Sequence, residues 1–127
     1  MPRRTEKSTR GLDRPNEPAV LILTSLASGT KHGYALAKDI EGFAGVPLGP
    51  GTLYGAIARL EERGLIEPTE GDERRRPYRI TAAGRAALAT AVQEMRAIAD
   101  EGAQRLGLAA PVRRVIAPER PRLGWSQ

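Results

Sequence analysis

From Ala82 to Leu106 the chain runs 25 residues without a proline, rich in alanine and set between Thr81 and Gly107. Alanine has the highest helix propensity and Thr81 can cap a helix start, so the stretch predicts a helix about 37 Å long. That is more than one small domain can cover. Everything before it is broken into much shorter pieces by glycine and proline. The chain is therefore restricted to a head of short elements that carries one long arm.

The head can be read piece by piece. Asn16 can cap a first helix, Pro18 suits its first turn, and Leu21, Ile22, Leu26 and Val20 supply an apolar face before Ser28-Gly29-Thr30 stops it. A second short helix is expected from about Lys31 to Glu41, with Tyr34, Leu36, Ala37 and Ile40 inward. Gly42 to Gly49 holds three glycines and Pro47 and reads as a turn. A third helix starts at Pro50 or Gly51 and runs to Arg63, with Leu53, Ile57 and Leu60 as its buried stripe and Gly64 past its end. Leu65 to Pro68 and Tyr78 to Thr81 then flank a polar loop, Thr69 to Pro77, as a β-hairpin does.

This order predicts a mainly α fold with a small β-hairpin: a winged helix-turn-helix with a long C-terminal dimerisation helix. The expected divisions are a flexible basic arm over 1–15, a DNA-binding domain over 16–81, the dimerisation helix over 82–106 and a Pro/Gly/Arg-containing tail over 107–127.

Charge follows the same divisions. The formal net charge is +5, from 20 basic and 15 acidic residues. Residues 1–16 hold five basic against two acidic, residues 111–127 four against one, and residues 17–110 eleven against twelve. A compact domain with basic arms has this profile. The chain has no cysteine and one histidine, which excludes disulfides, thiolate chemistry and multi-imidazole metal sites, so no cofactor or metal is expected. No apolar run approaches the roughly 20 residues of a membrane span, and no signal-peptide core follows the first arginines. A cytoplasmic protein is the expectation.

The outer face of the third helix presents Gly51, Thr52, Gly55, Ala58, Arg59 and Glu62. Its first half is small apart from Tyr54 on the flank. Such a face can approach a DNA backbone or enter a major groove, and the N–H groups of a helix start suit phosphate. The alternative for the same topology is a winged-helix protein-interaction module that never touches DNA. Catalysis finds no support. No nucleophile–base pair is visible, Glu61 and Glu62 point in different directions, and Gly49-Pro50-Gly51-Thr52 lacks the lysine of a phosphate-binding loop.

Four segments in order, His32-Gly33-Tyr34-Ala35-Leu36, Gly49-Pro50-Gly51-Thr52-Leu53-Tyr54, Leu60-Glu61-Glu62-Arg63-Gly64-Leu65-Ile66 and Arg76-Pro77-Tyr78-Arg79-Ile80-Thr81-Ala82-Ala83-Gly84, resemble the PadR family of transcriptional regulators. The resemblance covers roughly residues 17 to 95, with the short, single-helix C-terminal type. It implies a homodimeric regulator, mostly a repressor, on a palindromic promoter site. Where the family usually has Ser before Pro-Gly-Thr and Pro after Leu-Tyr, this chain has Gly49 and Gly55. A glycine there costs little as a cap but about 1 kcal/mol within the helix.

Candidate DNA contacts follow. Gly51 allows close approach, and the hydroxyls of Thr52 and Tyr54 can reach phosphate, although Tyr54 can also brace helices two and three. Arg59 can reach phosphate or a base edge, or pair with Glu62 on the surface. Lys31 is expected beside the backbone, His32 to cap or pack, and Tyr34 to lie in the core. Arg74, Arg75 and Arg76 at the wing tip, with Arg79 on the strand, make the densest positive spot of the folded part, beside Asp72 and Glu73. Arg3, Arg4, Lys7 and Arg10 in the arm can add non-specific attraction.

Leu88, Val92, Met95, Ala99, Gly102 and Leu106 recur at spacings of four and three along the long helix, as a coiled-coil seam does, and Ile98 widens it. A homodimer seam is expected there, with Leu21 of the first helix packed against it. The other use of the stripe is to cover the first helix of its own chain. The long helix carries no aromatic residue, which argues against a stacked flat ligand, and any small-molecule effector stays unassigned. Trp125 in the tail has room either to fold back or to hang free.

Overall fold

The computed structural model describes residues 17–71 and 76–108. The element order is α1 Pro18–Ala27, α2 Gly33–Ala44, α3 Pro50–Glu62, β1 Ile66–Pro68, β2 Tyr78–Ile80 and α4 Ala82–Leu106. The fold is mainly helical with one small antiparallel hairpin: a winged helix-turn-helix followed by a long helix. Asn16, the N-terminal arm, Arg74, Arg75 and the tail with Trp125 lie outside the described residues.

The chain divides into two compact units within α4, after Met95. In the first, α1 is the centre. Val20, Leu21, Ile22, Leu23 and Leu26 are all buried, more than the one face its sequence suggested, because α2 and α3 both pack on it. Leu36 and Ile40 of α2, Leu53, Ile57 and Leu60 of α3, and Ile66 and Ile80 of the hairpin complete the core. The α3 stripe is the one its spacing predicts.

Helix α2 begins and ends later than expected. Lys31 is extended, because its N–H donates to the Tyr78 carbonyl at 3.2 Å and its carbonyl accepts from the Tyr78 N–H at 2.9 Å. His32 then caps the helix, its Nδ1 accepting from the Ala35 N–H at 3.4 Å. At the other end Gly42 stays helical, and the chain turns out only at Gly45, whose φ of 70° suits glycine.

The hairpin is a residue shorter than expected at its outer ends: Ile66 pairs with Ile80, Glu67 with Arg79 and Pro68 with Tyr78. Lys31 adds a rung on the far side of Tyr78, so the wing is joined to the segment ahead of α2. At the end of β2 the Thr81 hydroxyl accepts from the Gly84 N–H at 3.0 Å, capping α4, and donates to the Gly64 carbonyl at 2.8 Å. Gly84 lies so close to the Leu65 carbonyl and the Ile80 side chain that a β-carbon has no room there.

Gly84 and Ala91 are the buried residues of α4 in this unit, and Leu88 packs partly against the core. Val92 is exposed and Met95 half-buried. Leu21, expected at a seam with a partner, is instead buried in its own core at 4% exposure and offers no outer surface. In the second unit Ile98 and Leu106 are 75% exposed, Ala99 is exposed and Gly102 half-buried. Helix α4 ends with Gly107 at φ 74°, where the Leu108 N–H donates to the Ala103 carbonyl at 2.9 Å.

Candidate nucleic-acid interface

The outward face of α3 begins at its first turn. Pro50 opens the helix behind Gly49, and the first N–H groups of any helix lack intrahelical acceptors. Gly51 and Thr52 are exposed, and nothing lies within 4 Å of the space a β-carbon would fill at Gly49 or Gly51. About two turns on, Arg59 is exposed and its guanidinium reaches back along the helix, with Nη1 3.6 Å from the β-carbon position of Gly55. At Gly55, which departs from the family pattern, the Arg59 guanidinium lies over the bare backbone.

Tyr54 stands at the flank, 47% exposed. Its hydroxyl sits against Gly33 at the start of α2, in the space a β-carbon would occupy. The ring therefore braces α3 on α2 and still shows an edge to solvent. This is the brace between the second and third helices that the sequence offers as the alternative for Tyr54, and it needs a residue without a side chain at position 33. Tyr34, expected in the core, is turned out instead and is 68% exposed, with the Lys38 ammonium 5.7 Å from its ring centre. The stripe that faces α1 and α3 is Gly33, Leu36 and Ile40, one position round from the aromatic.

The wing meets α3 around Tyr78. Burial raises its phenol above the usual range, the carboxylate of Glu61 and the phenol of Tyr54 push the same way, and Arg76 opposes them. Arg76 is half-buried beside this group, whereas Arg79 is exposed on β2 and its guanidinium pairs with Glu67 across the hairpin at 3.0 Å. Strand register alone places Glu67 opposite Arg79, a partner that the charges of the sequence do not single out.

Gly51, Thr52, Tyr54 and Arg59 therefore share the exposed side of α3, with Arg76 and Arg79 on the wing that follows it. Lys31 does not join them. Its ammonium points to the end of α1, donating to the carbonyls of Ser25 and Gly29 and to the Ser28 hydroxyl, with Asp39 at 4.0 Å. Among the described residues no cluster of acidic side chains and histidine could hold a metal, and no helix is long and apolar enough to cross a membrane.

Comparison with known proteins gives the same picture. The model of the transcriptional regulator PadR-like family matches residues 22–90. A 37.1 kDa protein of transposon TN4556 from Streptomyces fradiae is 50% identical over 72 residues, which are 57% of this chain and 21% of that protein, so the chain spans about a fifth of its length. Transcriptional regulator Rv3488 of Mycobacterium tuberculosis is 39% identical over 89 residues, 68% of this chain and 79% of the relative. The crystal structure of a PadR family regulator from Clostridium difficile R20291 superposes with a TM-score of 0.63 at 30% identity, over 70% of this chain and 97% of that one. One from Eggerthella lenta gives 0.58 at 28% identity, over 69% and 80%. The chain belongs to the PadR-like family, whose members are DNA-binding transcriptional regulators and not enzymes.

Proposed function

We propose that the protein is a homodimeric repressor that binds an inverted-repeat operator in double-stranded promoter DNA, with α3 in the major groove and the arginine wing along the flanking groove. The observation that supports this most is the α3 face: small and open at its first turn, then Thr52, Tyr54 and Arg59. Gly51 lets the backbone come close, Thr52 and Tyr54 hold phosphate, and Arg59 reads a base edge. Arg74, Arg75 and Arg76 follow the flanking groove, and Arg79 joins them when it leaves Glu67. A symmetric dimer presents α3 twice, so the half-sites lie about one helical turn, roughly 34 Å, apart. Leu88, Val92, Met95, Ala99, Gly102 and Leu106 form the seam. The reading places the protein in the cytoplasm.

The test is binding of wild type and an Arg74, Arg75, Arg76→Ala variant to one duplex across a salt series. The variant should bind specific and random duplexes more weakly and flatten the salt dependence by up to about 3 units of slope. A variant with wild-type affinity and slope would remove the wing from the interface. A wild type indifferent to DNA would favour the protein-interaction module.

A further inference from the structure

We propose that Lys31 is a positioning residue that ties the wing to the helical core, and not a phosphate contact. This deepens the DNA-binding reading and rests on it only for its effect on affinity. The segment around Lys31 is gripped from two directions. Its main chain makes both hydrogen bonds of a β-bridge with Tyr78, at 3.2 and 2.9 Å, in the strand that carries Arg79 and follows Arg76. Its side chain runs the other way, to the C-terminal end of α1.

An ammonium has three N–H donors, and here three acceptors meet it: the Ser25 carbonyl, the Ser28 hydroxyl at 3.0 Å and the Gly29 carbonyl at 3.4 Å. They lie at the C-terminal end of α1, where the helix dipole favours a cation, and the Ser25 carbonyl also accepts from the N–H and the hydroxyl of Ser28. Asp39 of α2 lies 4.0 Å away and accepts from the buried Ser25 hydroxyl at 2.6 Å, so α1 and α2 are joined at the same point. The Lys31 side chain is only 19% exposed. To reach a phosphate it would have to give up all three acceptors and leave the Asp39 carboxylate. Held where it is, it fixes the strand that Tyr78 pairs with, and through it the angle of the wing to α3.

Two readouts separate positioning from contact. Amide exchange of full-length protein without DNA should be at least tenfold faster at the Tyr78 N–H in Lys31→Met than in wild type, with the α3 amides of Ile57 and Leu60 unchanged. Asp39→Asn, which keeps the lysine and removes one partner, should accelerate the same amide by a smaller factor and serves if Lys31→Met does not fold. In a salt series on a mixed-sequence duplex, Lys31→Met should bind several-fold more weakly, and any flattening of the slope should come together with the faster Tyr78 exchange, because the wing arginines are what lose their place. A slope lower by about 0.9 with unchanged Tyr78 exchange would make Lys31 a phosphate ligand and overturn the proposal. Unchanged exchange in both variants would overturn it too. If the wild type binds no duplex, the DNA-binding reading falls, and the exchange measurement alone decides the role of Lys31.

Discussion

The hydroxyl of Tyr54 occupies the space that a β-carbon on Gly33 would fill, so the start of α2 and the flank of α3 meet through a missing side chain. The obstructing atoms are the outer end of a half-exposed ring, which can swing away. Gly33→Ala should therefore stay within about 1 kcal/mol of wild type, since alanine also gains helix propensity. What changes is where Tyr54 points. Duplex affinity should fall in Gly33→Ala and in Tyr54→Ala, and the double variant should bind no worse than Tyr54→Ala alone. Additive losses would mean that the two residues act separately.

Gly84 faces a harder obstacle. Its β-carbon would strike the Leu65 carbonyl and the Ile80 side chain, and neither a main-chain carbonyl nor a buried core residue can swing aside. Gly84→Ala should destabilise the protein by roughly 1–3 kcal/mol despite its better helix propensity. Urea unfolding measures this, and a variant as stable as wild type would contradict the packing.

Much of this architecture was legible because burial follows spacing. Leu53, Ile57 and Leu60 repeat at helical intervals and are buried together, and Thr81 ahead of an alanine-rich run caps it. Spacing points Tyr34 inward, but Gly33 beside it holds the inner position, with the Tyr54 hydroxyl filling the gap. Gly42 and Gly45 are equal candidates in sequence for the end of α2, and only the folded chain makes the second one turn. The position of Lys31 before α2 points to a DNA contact. The groups its ammonium meets in the chain without DNA, from Ser25, Ser28 and Asp39, come from the end of α1 and from α2, which sequence alone does not bring together.

The Glu67–Arg79 pair offers a way to move charge at the wing without touching the core. Both side chains are about half exposed, so Glu67→Gln should alter stability by less than about 1 kcal/mol. Arg79 is then released, and duplex affinity should rise with a salt slope steeper by up to about 0.9. The same slope in both proteins would show that Arg79 stays clear of phosphate.

Val92 tests the dimer. It is exposed on α4 between partly buried Leu88 and half-buried Met95. Sedimentation at micromolar concentration should give wild type a mass of twice 13.7 kDa, and Val92→Glu the single value. A wild type that sediments as a single chain would remove the homodimer.

Gly84 and Ala91, the buried residues of α4, both fall in its first ten positions. The helical head draws on α4 only as far as half-buried Met95. Beyond Met95 the helix could be cut and spliced to another of different length or pairing preference, and the wing and α3 would keep their seats. Lineages that share this head are thereby at liberty to exchange the later part of the helix, and with it the company the protein keeps.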